Sequence, residues 1–133
     1  MKFGQPAVFK DSNDATICLA PTKLSVAPDS VYDDKILKSN GTVYFLQMNY
    51  GTAATGSRPV KARDINNLIM HPTVAKGATG KAFYSDFPGC DQSNDDNTIA
   101  VGKSEKTCIA YQITGAKTTE VIYSGYPEKY RWQ

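Results

Sequence analysis

The chain has 133 residues, a formal net charge of +2, 41% apolar residues and 21% charged residues. These values describe one folded domain able to bury its own core, and they exclude a disordered chain. Lys and Arg are scattered rather than run together, which argues against a dedicated nucleic-acid or membrane-surface patch.

The first segment, MKFGQPAVFK, has only isolated apolar residues (Phe3, Val8, Phe9) and is not read as a signal peptide. No apolar run reaches bilayer-spanning length. The expectation is a protein made in the cytosol, a viral or phage product assembled inside its host, or a chain whose leader has been removed. Eight tyrosines with abundant Gly, Thr, Asn and Ser make a β-rich, turn-rich composition.

In chain order, residues 6–10 start an edge strand, with Pro6 at its first position. Residues 15–20 place Ile17 and Leu19 on one strand face, and Pro21 is expected to stop that strand. Residues 23–27 alternate again through Leu24 and Val26. Residues 31–38 and 42–50 flank Ser39-Asn40-Gly41, a hairpin signal between two β-prone runs. Asn40-Gly41-Thr42 is also a glycosylation sequon, but a tight turn accounts for it better. Within 42–50, Tyr44, Leu46, Met48 and Tyr50 share one face, while Val43 and Phe45 begin the other. This predicts a central strand with both faces covered.

The pattern predicts one helix, near residues 58–70. Ser57 would cap it, Pro59 would sit in its first turn, and Ile65, Leu68 and Ile69 would form its apolar stripe before Pro72. Residues 71–80 read as loop. Residues 81–87 and 97–102 are short strands, and Lys103-Ser104-Glu105 is a turn. Residues 106–114 place Ile109, Tyr111 and Ile113 opposite Cys108 and Ala110, and 117–124 place Val121 and Tyr123 opposite Ile122. The last three strands are expected to form an antiparallel meander. The fold class is mainly β (or α+β): an antiparallel sheet or sandwich of about eight strands with one short amphipathic helix. Residues 1–133 form a single domain, with candidate assembly arms at 1–14 and 126–133.

Three cysteines, Cys18, Cys90 and Cys108, leave an odd count. Either all are reduced thiols, or Cys90 and Cys108 close a loop while Cys18 stays buried, or one pairs between molecules. A Cys90–Cys108 link would be worth about 3 kcal/mol. With His71 as the sole histidine and no CxxC, a zinc site is not expected.

The densest group of polar oxygens is the loop Asp91–Asn97. Asp91, Ser93 and Asp95 have the 1-3-5 spacing of a calcium loop, but the sixth position is Asp96 rather than Gly and the twelfth is Gly102 rather than Glu. A weak calcium site is the most this supports, and a solvated loop reads better. His71, directly after the expected helix, suits a helix end, where it meets terminal carbonyls. Asp33-Asp34 and Asp95-Asp96 are adjacent pairs, which on a strand would face opposite ways. No nucleophile elbow, metalloprotease, Walker or dinucleotide motif occurs. No cofactor, metal or catalytic residue is expected.

Residues 90–108, two cysteines bounding a polar loop near the C-terminal part of a sheet, resemble the disulfide-bounded region of a type IV pilin head. The apolar N-terminal helix of pilins has no counterpart in this sequence. The tail carries Tyr126, Tyr130, Arg131 and Trp132 beyond the last expected strand. It either packs back on the domain or docks, with Phe3 of the other arm, on a neighbouring subunit. The function expected is a non-enzymatic structural or assembly protein: a virion subunit or an extracellular, pilus-like filament subunit, partnered by itself or by other assembly subunits. The alternatives are a β-module binding carbohydrate or single-stranded nucleic acid, and an enzyme with a dispersed site. The setting expected is a virion or the cell surface, with no membrane partner.

Overall fold

The computed structural model describes residues 1–66, 70–72, 80–115, 118–123 and 130–133. Among these residues lie strands β1 (Ala7–Lys10), β2 (Thr16–Val26), β3 (Thr42–Thr52), β4 (Val60–Lys61), β5 (Met70–Pro72), β6 (Gly80–Phe83), β7 (Thr98–Ile99), β8 (Ser104–Ile113), β9 (Val121–Tyr123) and β10 (Tyr130–Trp132), with one short helix, α1 (Ala62–Asn66). Every pairing is antiparallel. One sheet has the order β1-β2-β3-β8-β6, a second β10-β9-β5, and β4 pairs with β7. The protein is thus mostly β and sandwich-like, as its alternating patterns predict.

The middle strand is β3, the most apolar run. Its side chains alternate between two cores because both faces of the large sheet are covered. Leu46, Met48 and Tyr50 join Ile17, Leu19, Ile109 and Tyr111 against Val121, Tyr123 and Trp132 of the second sheet. Val43 and Phe45 face the other way, with Cys108 and Ala110, under Ala27, Val31, Ile36 and Cys90 from the crossing loops.

Pro21 does not end its strand. Residues 15–20 and 23–27 belong to the single strand β2, whose register against β3 shifts between Pro21 and Lys23. The proline is tolerated because β1 pairs only as far as Leu19, so this half of β2 needs no N–H on that side. The Pro21 carbonyl accepts the Gly4 N–H at 2.8 Å.

Residues 31–38 are not a strand, and Asn40-Gly41 is not a hairpin turn. The Asp33 carboxylate accepts the N–H groups of Lys35 and Ile36, both at 2.8 Å, so a local side-chain bond outcompetes strand pairing. Two 3-10 turns, Asp29–Val31 and Lys38–Asn40, bracket this knot. It sends Val31 and Ile36 into the second core, and Tyr32 accepts the Val43 N–H through its hydroxyl at 3.0 Å. Gly41 has φ 122°, and a Cβ there would run into the Ile113 carbonyl, so no other residue fits.

The helix does not span residues 58–70: it begins at Ala62, is described as far as Asn66, and Met70 is already strand. Val60 pairs with Ile99, so Pro59 precedes a strand rather than a helix. Ser57 is not a cap, because its Oγ accepts the Thr16 N–H at 2.9 Å. The helix borrows its first acceptors from elsewhere: Ala62 donates to Asn97 O at 2.9 Å and Arg63 to Asp95 O at 3.1 Å. Leu68 and Ile69 lie outside the described residues, and Met70–Pro72 is strand, not helix end or loop. The expected C-terminal meander is also absent. β7 pairs with β4, β8 with β3 and β6, and β9 with β10 and β5. The turn before β8 is formed by Ala100–Lys103, so Ser104 and Glu105 already belong to the strand.

Candidate functional site

The polar loop between β6 and β7 is built around a disulfide. Cys90 and Cys108 are joined, with Cα atoms 5.0 Å apart, and Cys90 is buried against the second core. Cys18 is the free thiol, half-buried on β2 opposite Val8 and Gly51. Around the link, Phe87 and Cys90 exchange backbone hydrogen bonds of 3.0 and 2.9 Å, and Asp86 accepts the Gln92 N–H at 2.9 Å.

The loop's calcium-spaced residues serve to hold it. Asp91 O accepts the Cys108 N–H at 3.1 Å, and the Ser93 N–H donates to Thr107 Oγ1 at 3.0 Å. The Tyr50 hydroxyl bonds Ser93 Oγ and lies 3.3 Å from Glu105 Oε2. Asp95 O takes the helix N–H of Arg63. Among the described residues, no three His, Cys, Asp or Glu side chains gather as a metal set. Burial holds the Tyr50 hydroxyl above its ordinary range, reinforced by the Glu105 charge and partly offset by the Ser93 hydrogen bond. The backbone of His71 lies in β5 opposite Ile122 rather than at a helix end.

Of the two fates open to the tail, the structure takes packing back on the domain for Trp132. It is fully buried, and its indole N–H donates to Gln5 O at 2.8 Å. Tyr130 is half-buried, stacked on Phe9 (6.1 Å) and Tyr123 (6.2 Å), and Phe3 packs against the same core. Arg131 is exposed and pairs with Glu120 at 3.7 Å. Tyr126 lies outside the described residues. The N-terminal segment closes onto the tail, since Met1 N donates to Arg131 O at 2.8 Å.

A second polar feature went unread in the sequence. A cleft of about 380 Å³ opens where β6 and the end of β8 meet the loop after Asp33. Its walls include Lys35, Lys81, Phe83 and Gln112. The signal was Gln112 itself, a polar residue inside the otherwise apolar run Cys108–Ile113. Gln112 stands on the Cys108/Ala110 face, where a core side chain is expected, and it is buried.

These features define an antiparallel β-sandwich-like protein with a cross-linked loop on one face. The chain matches no protein-family model, and a search of characterised proteins found no relative. It is similar in structure to MPT63, a secreted protein from Mycobacterium tuberculosis solved at 1.5 Å resolution. The likeness has a TM-score of 0.67 at 15% identity, and it covers 100% of this chain and 95% of that one. At that identity it is the fold that is shared.

Proposed function

We propose that this is a non-enzymatic extracellular protein that works by contact with other proteins, including copies of itself. The observation that carries this reading is the Cys90–Cys108 disulfide, which ties the loop to β8 within the second core. Disulfides of this kind persist in oxidising compartments and are rare in the cytosol. The shared fold with a secreted protein points the same way. So does the use of the Asp91–Asp95 loop, whose polar groups are spent on anchoring the chain.

Assembly into a filament or a virion is the finer form of this proposal. Here Phe3, Ala7 and Phe9 of one arm and Tyr130 and Trp132 of the other contribute to the core of their own domain, so the assembling surface would be the sheet edges and exposed side chains such as Tyr84 and Val26. Two measurements test the reading. Protein folded in a glutathione buffer of secretory poise should show one free thiol in denaturant and three after reduction, whereas three before reduction would overturn the extracellular assignment. Light scattering at micromolar concentration decides assembly: a large particle supports it, and a species of 14.5 kDa removes it in favour of a monomeric binding module.

A further inference from the structure

The Gln112 cleft has the chemistry of a site rather than of a gap in packing. Gln112 is only 7% exposed, yet its amide is not spent on the core. Both amide hydrogens are used: Nε2 donates to Leu37 O at 2.7 Å and to Gly41 O at 3.0 Å. Two carbonyls on that side oblige the NH₂ to face them, so the orientation of the amide is settled by its neighbours. Among the described residues none donates to Oε1, and no buried side-chain oxygen there is left unsatisfied. The oxygen therefore opens on the cleft that Gln112 lines. It is a fixed acceptor, held by two bonds, waiting for an N–H or O–H.

The surroundings add two further requirements. Lys35 and Lys81 are exposed on the walls, and among the described residues no carboxylate shares the lining with them. Asp33, the acid close to Lys35, turns one carboxylate oxygen, Oδ1, to the N–H groups of Lys35 and Ile36. Phe83 supplies an apolar wall, with the Lys81 ammonium 5.3 Å from its ring centroid. A ligand that satisfies all three must carry an anion, a neighbouring hydrogen-bond donor and an apolar group. Inorganic anions lack the apolar group. A free amino acid brings an ammonium that the two lysines repel. The end of a peptide has all three: a terminal carboxylate, its own amide N–H, and a side chain. The cleft volume lies within the ~300–1,000 Å³ of ordinary ligand sites.

We propose that this cleft binds the C-terminal residue of a peptide, with the carboxylate on Lys35 and Lys81, the last amide N–H on Gln112 Oε1, and an apolar side chain on Phe83. The inference rests on the reading of the protein as a contact-making module and names one kind of contact. The thiol count and the light scattering do not involve the cleft, so the two readings fail separately.

The test is an NMR titration of the full chain with acetyl-Gly-Ser-Leu, as free acid and as C-terminal amide, and with inorganic phosphate. The free acid should shift the amides of Lys35, Lys81 and Gln112. The amidated peptide should bind about tenfold more weakly, since it loses the charge-assisted bonds. The double variant K35Q/K81Q, altered at two exposed positions, should keep its melting temperature and lose binding of the free acid by about the same factor. Equal binding of acid and amide overturns the proposal. So does phosphate binding as tight as that of the peptide, or no shift at these residues at millimolar peptide.

Discussion

Trp132 joins the two sheets. It is the sole tryptophan, it is fully buried, and its ring lies 6.3 Å from that of Tyr130. Trp132→Ala removes this packing and leaves Gln5 O without its donor, so it should cost about 3–5 kcal/mol in urea unfolding. Trp132→Phe should cost less, keeping a ring but not the N–H. The wild-type emission should be blue-shifted and move red on unfolding; a water-like emission from the folded protein would refute the buried placement. The tyrosines set the alkaline limit. Burial raises Tyr111, with the nearby Tyr84 adding to it, and burial also raises Tyr50 and Tyr123. Each folded value lies above the ordinary 10.0 of the unfolded chain, so their contribution is fully present below pH 10 and is lost as pH rises beyond it. Stability should therefore fall above pH 10, with tyrosinate absorbance from these residues appearing together with unfolding. Tyr111→Phe should flatten that fall. The facing of Tyr50, Tyr111 and Tyr123 was legible from alternation, because period-two patterning reports burial directly. The fate of Trp132 was not, since its seat depends on a long-range bond to Gln5 O that periodicity does not report.

At the level of elements, most strands were legible but their extents and partners were not: β2 read as two strands, while the runs at β1, β6, β7 and β9 were recognised. β3 and β8 each run ten or more residues, and alternation showed their faces but not their partners, since β8 pairs with β3 and β6 rather than within a meander. The misreadings share a cause: a local hydrogen bond or a long-range partner overrode propensity. Asp33 folded a β-prone run into a turn, and Ile99 captured Val60 ahead of the helix. The disulfide loop is the element whose removal is most informative. Its cysteines are 18 residues apart, so Cys90→Ala with Cys108→Ala should cost about 3 kcal/mol by the chain-entropy account. The loop should loosen before the sheet does, because the Asp91 carbonyl and the Ser93 N–H hold it to Cys108 N–H and Thr107 Oγ1 of β8 by bonds that the link keeps in register. Equilibrium unfolding of the double variant measures the loss. Unchanged stability would show that the loop is already closed in the unfolded chain, since the link then has no entropy left to remove.

For the molecule as a whole, the two sheets differ in how they are held. β2, β3 and β8 run 11, 11 and 10 residues, and β3 pairs with the other two along most of that length. β5, β9 and β10 are described over three residues each, and Val121, Tyr123 and Trp132 among them are seated in the shared core. A sheet seated through the side chains of Val121, Tyr123 and Trp132 should open before the long ladders of the large sheet, in a step smaller than global unfolding. Hydrogen exchange under native conditions tests this. The amides of Leu46 and Ile109, central in the large sheet, should exchange only through global unfolding. Those of Tyr123 and Trp132 should exchange sooner, with a smaller dependence on urea because less surface is exposed when they open. Trp132→Ala should widen the gap, since it weakens the side-chain contact and leaves the large sheet's ladder intact. Equal protection in both sheets would mean that the core couples them into one cooperative unit.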